Sequence, residues 1–450
     1  MNSLDLHDFF TKRSKLKNYL HFDRKPNISN IVSFVTDPFN IEHHAFFPFI
    51  SYMTQETKIK TEAQNGKLGF LKLPPKDRLI NYSSHIDSAI YAYYATILYK
   101  HYECYLKNQG LSDSIIAFRK ISKVIHGKKT SFCNIHFSKQ VFDIIKDRKN
   151  CTVLCFDITK FFDNLDHEVL KQQWCQVLDV ERLPQDHFKV YKSLTKFAYV
   201  DKKDLYQKLG LSLRSRTLHK RMDRLCSVND FREIVRKGNL IKVNQNQGIP
   251  QGSPMSGLLS NIYMMNFDKV IFDFCQKNNA HYFRYCDDMI VISCHKLADE
   301  VERLVINEIQ KLSLNINPAK TQKIIFNDLK IQITGKSTFN QPTRLQYLGI
   351  EFDGENVFVR DKGLSRHRYK MRKAIRMRGN HYRRLKANNQ LSKNGIFERK
   401  LYVRYTYIGR RNYPKYVYRV SENFNSYTVR KQIKNHWNEF HSYLNKRLNR

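Results

Sequence analysis

Two adjacent acids, Asp287 and Asp288, interrupt an otherwise aromatic and β-branched stretch from His281 to Ser293, HYFRYCDDMIVIS. Such flanks predict two strands of a hairpin, with the acids presented at its turn to one side of a sheet. Neighbouring carboxylates repel, so a site that keeps both charged usually contains a cation. Divalent magnesium, which prefers oxygen ligands, suits that place. An isolated Asp-Asp pair is most often a solvated turn, so the rest of the chain decides the matter.

A second acid closes a second apolar run, Cys151-Thr152-Val153-Leu154-Cys155-Phe156-Asp157. Unbroken apolar character predicts a fully buried strand. A carboxylate at its end is costly unless its charge is compensated, and a metal shared with Asp287 and Asp288 would compensate it. As a helix cap or salt-bridge partner, Asp157 would need no metal. Asn164 is expected to cap a following helix with Asp166 and Glu168 in its first turn. Gln247 to Gly257, QGIPQGSPMSG, is a loop shaped by three glycines and two prolines, where backbone can approach a ligand closely. Leu258 to Phe274 then reads as one buried helix.

Upstream, residues 86 to 106 read as a packed helix and residues 115 to 120 as a short strand ending in cations. Lys76, Arg78, Arg119 and Lys120 could bind a triphosphate, or be ordinary surface cations. Residues 172 to 242 are basic and helical in character, with a turn-rich stretch from Ser227 to Asn239.

The chain is long enough, at 450 residues, for two or three domains with substantial cores, and its aromatic content of 13% argues against disorder. A net charge of +37 favours polyanionic partners, either nucleic acid or an anionic membrane surface. No apolar run reaches the roughly 18 residues of a spanning helix, and the first residues, MNSLDLHDFFTKRSKLK, lack a signal peptide's apolar core. The nine cysteines contain no CxxC pair and fit reduced thiols in a cytosol. Residues 361 to 450 hold 25 Lys and Arg against 4 Asp and Glu, a charge of +21 that repels itself without a polyanion. Ser365 to Ala387 is expected to be helical, and Val429, Ile433, Trp437, Phe440 and Leu444 are spaced for one amphipathic helix. Tyrosines at 402, 405, 407, 413, 416 and 418 interleave with the cations and could stack on bases.

In this order FDITKFFDNLDH, GIPQGSPMSGLLSNIYM, FRYCDDMIVIS, LSLNINPAKT and YLGIEF resemble successive motifs of a reverse transcriptase palm. The resemblance covers roughly residues 70 to 360. It implies an α+β right-hand polymerase with fingers, an antiparallel-sheet palm flanked by helices, and a basic helical thumb. Its domains would be fingers at 1–150, palm at 151–171, a fingers insertion at 172–242, palm at 243–345, and thumb with C-terminal extension at 346–450. By the same resemblance Asp157, Asp287 and Asp288 are the catalytic carboxylates, and with the carbonyl of Ile158 they hold two Mg2+ ions, Mn2+ being a substitute. Asp157 and Asp287 would bridge both ions, with Asp288 supporting. Nucleotide contacts fall to Phe162 (or Phe161), Gln251, Gly252, Arg119, Lys76, Arg78 and Lys320. Tyr347-Leu348-Gly349 corresponds to the turn near the primer terminus.

The implied activity is RNA-directed DNA polymerisation, with an RNA template, dNTPs, a DNA product, no membrane partner, a cytoplasmic setting and self-association left open. The compact layout with a basic extension looks most like bacterial defence-associated reverse transcriptases of the abortive-infection and unknown-group type, some acting with a non-coding RNA. Retron or group II intron enzymes, an untemplated polymerase and a non-catalytic RNA-binding scaffold are the alternatives. Against the retron reading, YLG stands where those enzymes carry VTG, and Gln332-Ile333-Thr334-Gly335 lies upstream of that place.

Overall fold

In the computed structural model, residues 3–14, 19–64, 67–125, 127–215, 221–245, 247–333, 339, 342–390 and 398–448 are described. Their strands are β1 (Phe49–Gln64), β2 (Lys67–Tyr82), β3 (Ser122–Ile125), β4 (Lys128–Ser131), β5 (Cys151–Asp157), β6 (Ala198–Asp201), β7 (Lys242–Val243), β8 (His281–Tyr285), β9 (Asp288–Ser293), β10 (Gln322–Asn327), β11 (Lys330–Gln332), β12 (Leu345–Tyr347), β13 (Ile350–Phe352) and β14 (Val357–Val359). The centre is a five-stranded sheet in the order β11-β10-β5-β9-β8. β5 is antiparallel to both neighbours and buried along most of its length, which is why its sequence is continuously apolar. Burying Val153 and Leu154 completely contributes about 1.5–3 kcal/mol each.

One face of this palm sheet packs on the long helix His85–Asn108 and the helices Ser256–Tyr263 and Met265–Lys277. The other packs on the helix Asn134–Arg148 and the small sheet β12-β13-β14. The fold is thus mixed α+β, an antiparallel sheet covered on both faces. The fingers sheet runs β2-β1-β6-β7, so residues 198–201 and 242–243 complete it from the poorly patterned middle of the chain. The long β1-β2 hairpin reaches the basic helix Asp361–Ala387, where the Lys72 ammonium lies 5.9 Å from the Tyr369 ring centre. The hairpin and the basic helix therefore meet.

Five local expectations fail, each for a physical reason. Residues 115 to 120 are not a strand: Ile115 makes one bridge to Arg284, and Phe118 then takes a left-handed conformation (φ 58°) that turns the chain. Asn164 does not cap the next helix; Asp166 does, accepting from the Val169 N–H, while the Asn164 amide donates to the Thr159 carbonyl. The stretch 258–274 is two helices, broken at Met264. Ser227 caps a helical turn, Val228–Asp230, that runs into a wider π-type turn over Phe231–Arg236. Finally, the apolar spacing from Val429 to Leu444 spans two helices, Tyr427–Ile433 and His436–Leu448. Val429 and Ile433 join the palm-side core, whereas Phe440 and Leu444 pack with Met371 and Ile375 of the long basic helix.

No helix among the described residues is long and apolar enough to cross a membrane.

Candidate active site

The register of the palm sheet sets the site. Asp157, the last residue of β5, pairs directly with Asp288, the first of β9. Directly opposed residues project to the same face with Cβ atoms roughly 4.5–5.5 Å apart. Asp287 sits one residue earlier, in the β8-β9 turn, where Cys286 adopts a left-handed φ of 62°. All three acids line one cavity of 840 Å³, together with Arg78 from the fingers, Lys320, the Tyr347-Leu348-Gly349 turn, and Arg360, Lys362 and Arg366 from the start of the thumb helix. Two acids distant in sequence from Asp157 thus meet it because antiparallel pairing leaves no other register for the apolar faces.

Crowding of like charge shows in the electrostatics. Asp288 is open to the cleft, yet its carboxyl is pushed up to about 7. Desolvation in the cavity contributes most, followed by the charges of Asp287 and Asp157, with Lys320 and Arg360 pulling the other way. The Lys320 ammonium donates to Asp157 Oδ2 at 2.7 Å and supplies part of the missing positive charge. No group of three or more His, Cys, Asp or Glu among the described residues is drawn tightly enough to hold a metal ion. The donor set nonetheless fits a hard divalent cation, being carboxylate oxygens that need compensating charge. Ile158 suits the same purpose. The Asn317 N–H to Asp157 carbonyl (2.7 Å) and Thr159 N–H to Asn315 carbonyl (2.8 Å) bonds flank it on one edge. Its own carbonyl therefore turns to the other edge, toward the acid hairpin.

The remaining expected contacts divide. Arg78 and Lys320 reach the cavity. Arg119 does not line it: its guanidinium grips both oxygens of Glu103 at 2.7 Å and donates to the carbonyls of Ser112 and Ile115. That buried fork holds the turn after the long helix in place. The Lys120 N–H donates to the Tyr99 hydroxyl. The side chain of Lys76, and Thr334-Gly335, lie outside the described residues. Phe161 is a core residue, 3% exposed, and Phe162 is the half-buried neighbour beside it. The Gln251 carbonyl accepts from the Asn81 N–H at 2.8 Å, and a Cβ on Gly252 (φ 120°) would lie 2.4 Å from the Asn81 carbonyl. This loop therefore locks β2 against the palm, and only glycine permits so close an approach. Gln251 also donates to Asp163, 3.5 Å away.

Sequence reasoning did not single out Arg360, Lys362, Arg366, Asn134 or Gln346, all of which line the cavity. The Asn134 amide donates to the Leu348 carbonyl (3.0 Å) and to the Tyr416 hydroxyl (3.1 Å), tying the turn after β12 to the thumb. The cations that begin at Arg360, eight residues after the end of YLGIEF, were the available signal for the first three. Of the six tyrosines singled out in the sequence, Tyr405 is buried, Tyr402 packs on Phe440 and Trp437, and Tyr413 and Tyr416 pack on each other, which leaves Tyr407 the most exposed of the six. These rings chiefly build the thumb rather than present a stacking surface.

Residues 174–352 match the family model for reverse transcriptase (RNA-dependent DNA polymerase). The match contains Asp287, Asp288, Lys320 and the Gly-Pro loop and starts after Asp157, whose place in the site rests on register. Over these residues the chain is similar to a reverse transcriptase domain, the nucleotidyltransferase unit of RNA-directed DNA polymerases. Among solved structures, apo telomerase from Candida tropicalis truncated from its C-terminal domain is similar at 14% identity, covering 68% of this chain and 57% of that one, TM-score 0.40. Apo telomerase from Candida tropicalis follows at 15% identity, 89% and 61% coverage, TM-score 0.38. Telomerase from Candida albicans in complex with a TWJ fragment of telomeric RNA is similar at 13% identity, 100% and 66% coverage, TM-score 0.36. The chain spans less than two thirds of the length of these telomerase chains. No curated protein matches the sequence.

Proposed function

We propose that the protein is an RNA-directed DNA polymerase that extends a 3′-hydroxyl with deoxynucleotides by two-metal phosphoryl transfer. The observation that carries this reading is the pairing of Asp157 with Asp288 beside Asp287 in one cation-walled cavity. Asp157, Asp287, Asp288 and the Ile158 carbonyl would hold the metal ions, Mg2+ with Mn2+ as a substitute. The chemistry such ions would supply there is activation of the 3′-hydroxyl and charge stabilisation for the leaving pyrophosphate. A bond forms between the 3′-oxygen and the α-phosphorus as the bond to pyrophosphate breaks, and the hydroxyl proton is lost to water.

The chain's own groups supply position and charge. Arg78 and Lys320, which line the cavity with the acids, bind the triphosphate, Lys320 leaving Asp157 for phosphate. Phe162 sits under the sugar and disfavours a 2′-hydroxyl. Gln251 and Gly252 set the distance between fingers and palm around the templating pair, and the Tyr347-Leu348-Gly349 turn, fixed by Asn134, supports the primer end. At the start of the thumb helix, Arg360, Lys362 and Arg366 line the acid cavity and hold the RNA template and its DNA product there.

The setting we propose is the bacterial cytoplasm, in anti-phage defence with an associated non-coding RNA. Support comes from the compact layout with a +21 C-terminal segment, and nine free cysteines suit a reducing compartment. Magnesium-dependent dNTP incorporation on an RNA template, compared with Asp287→Asn, tests the chemistry. Equal incorporation by the variant removes this reading, whereas lost incorporation with retained RNA binding supports it. Sequencing the copurifying nucleic acid tests the setting; absence of one recurrent RNA counts against it.

A further inference from the structure

A second cavity, of 1110 Å³, lies in the thumb between the long basic helix and the helix Arg399–Tyr405. Among the described residues five cations line it, Arg378, Arg399, Lys400, Arg404 and Arg411, and no acid does. Its walls also carry apolar side chains left open to water: Met377 is 63% exposed and Val403 46%. Cations alone would mark a solvated face. Cations ringing exposed apolar surface mark a surface that meets a ligand with both charge and unsaturated or apolar faces.

The groove is distinct from the polymerase cleft. On the long helix, Lys362 and Arg366 line the acid cavity, whereas Ala374, Met377, Arg378 and His381 line the groove. The second group is centred about a quarter turn round the helix and roughly 20 Å further along it. Between them the helix buries Met371 and Ile375 against Leu401, Phe440 and Leu444, so the groove stands on a packed base.

We propose that this groove binds single-stranded RNA outside the polymerase cleft, an inference that rests on the RNA-directed reading for its choice of RNA. A duplex offers the groove phosphates only, because its base faces are stacked away. A single strand offers phosphates to the five cations and base faces to Met377 and Val403. An acidic peptide would satisfy the cations, but a segment carrying +21 over its last 90 residues matches a continuous polyanion better.

The test uses the full chain. Fluorescence anisotropy with a uridine-rich single-stranded RNA is measured against salt for wild type and for Arg378→Gln/Arg404→Gln/Arg411→Gln, with thermal melting to confirm folding. Three lost phosphate contacts lower the log–log salt slope by about 2, while incorporation on a short template–primer duplex stays at the wild-type rate. Arg404→Glu, a single exposed position, is the fallback if the triple variant melts early, and lowers the slope by about 1. An unchanged slope in a folded variant overturns the proposal. So does equal loss of duplex binding, or poly-glutamate displacing wild-type protein from RNA while the triple variant resists it. A protein inactive in polymerisation that still shows the slope change refutes the polymerase reading and leaves the groove standing; an active polymerase with an unchanged slope does the reverse.

Discussion

Arg284 offers the sharpest perturbation of the link between core and chemistry. Its side chain is wholly buried beneath the acid hairpin, as is that of Asp268. Nε and Nη2 hold the two Asp268 oxygens at 2.7 and 2.5 Å. Nη1 donates to Asn261 Oδ1 and to the Cys286 carbonyl, each at 3.1 Å. Cys286 is the left-handed residue of the turn that presents Asp287. Arg284→Met fills the same volume but leaves the Asp268 carboxylate buried without a cation, a change that costs about 3–5 kcal/mol. Adding Asp268→Leu removes the orphaned charge. Recovery is partial, because the Tyr282 hydroxyl, which donates to Asp268 at 2.7 Å, and the Asn261 amide oxygen also lose partners. Each unpaired group costs about 1–3 kcal/mol. Urea unfolding reads the stabilities, and dNTP incorporation well below the transition reads kcat. The double variant regains at least about 2 kcal/mol yet keeps a depressed kcat, since the Cys286 carbonyl still lacks its donor. A single-variant cost below about 1 kcal/mol refutes the buried-charge argument, and wild-type kcat in the double variant refutes the tie to Asp287.

Three further outcomes follow from the site. Asp157→Asn and Asp287→Asn each lower incorporation by about a thousandfold, or roughly 4 kcal/mol of barrier, while RNA binding in the same samples is retained; activity within tenfold of wild type in either removes that acid from the mechanism. The Asp288 carboxyl, raised from 3.8 to about 7, keeps in the folded chain a proton that the unfolded chain has released. Wild-type stability from this group is therefore present at low pH and lost as pH rises toward about 7. In chelator, Asp288→Asn melts higher than wild type at alkaline pH and no higher at acid pH, and equal offsets at both contradict the assignment. Phe161→Ala, in the core, costs about 3–5 kcal/mol of stability. Phe162→Ala costs less and instead raises ribonucleotide use in competition with dNTPs; the reverse pattern exchanges the two roles.

The palm was legible because its two demands agree. β5 and the β8-β9 hairpin need apolar residues on both faces, and the acids break that pattern only where the strands end. What failed was local pattern read without its packing partners. Phe118 reads as one more strand residue until its ring meets Gly257, where an added Cβ would lie 2.8 Å away, and the chain must turn there. Arg119 reads as a free cation until Glu103, sixteen residues earlier on the long helix, claims it. Val429 and Phe440 share one helical spacing although they bury into different cores, because periodicity carries no record of which neighbour a face meets. The strands at 198–201 and 242–243 are too short to show any period, and only the pairing of the first with β1, and of the second with the first, defines them.

Charge in the cleft also fixes an order of assembly. Arg78, Lys320, Arg360, Lys362 and Arg366 wall the cavity whose floor is Asp157, Asp287 and Asp288. A bare divalent ion approaching a chain of net charge +37 meets repulsion before it meets the carboxylates. The same ion carried by a nucleoside triphosphate arrives within an anion and is drawn in by those walls. Desolvation, with repulsion from Asp287 and Asp157, raises the Asp288 carboxyl although Lys320 and Arg360 oppose it, and an arriving metal–triphosphate would answer that repulsion further. On the polymerase reading proposed above, the same walls would disfavour a bare cation in the empty cleft and favour one that enters with the triphosphate.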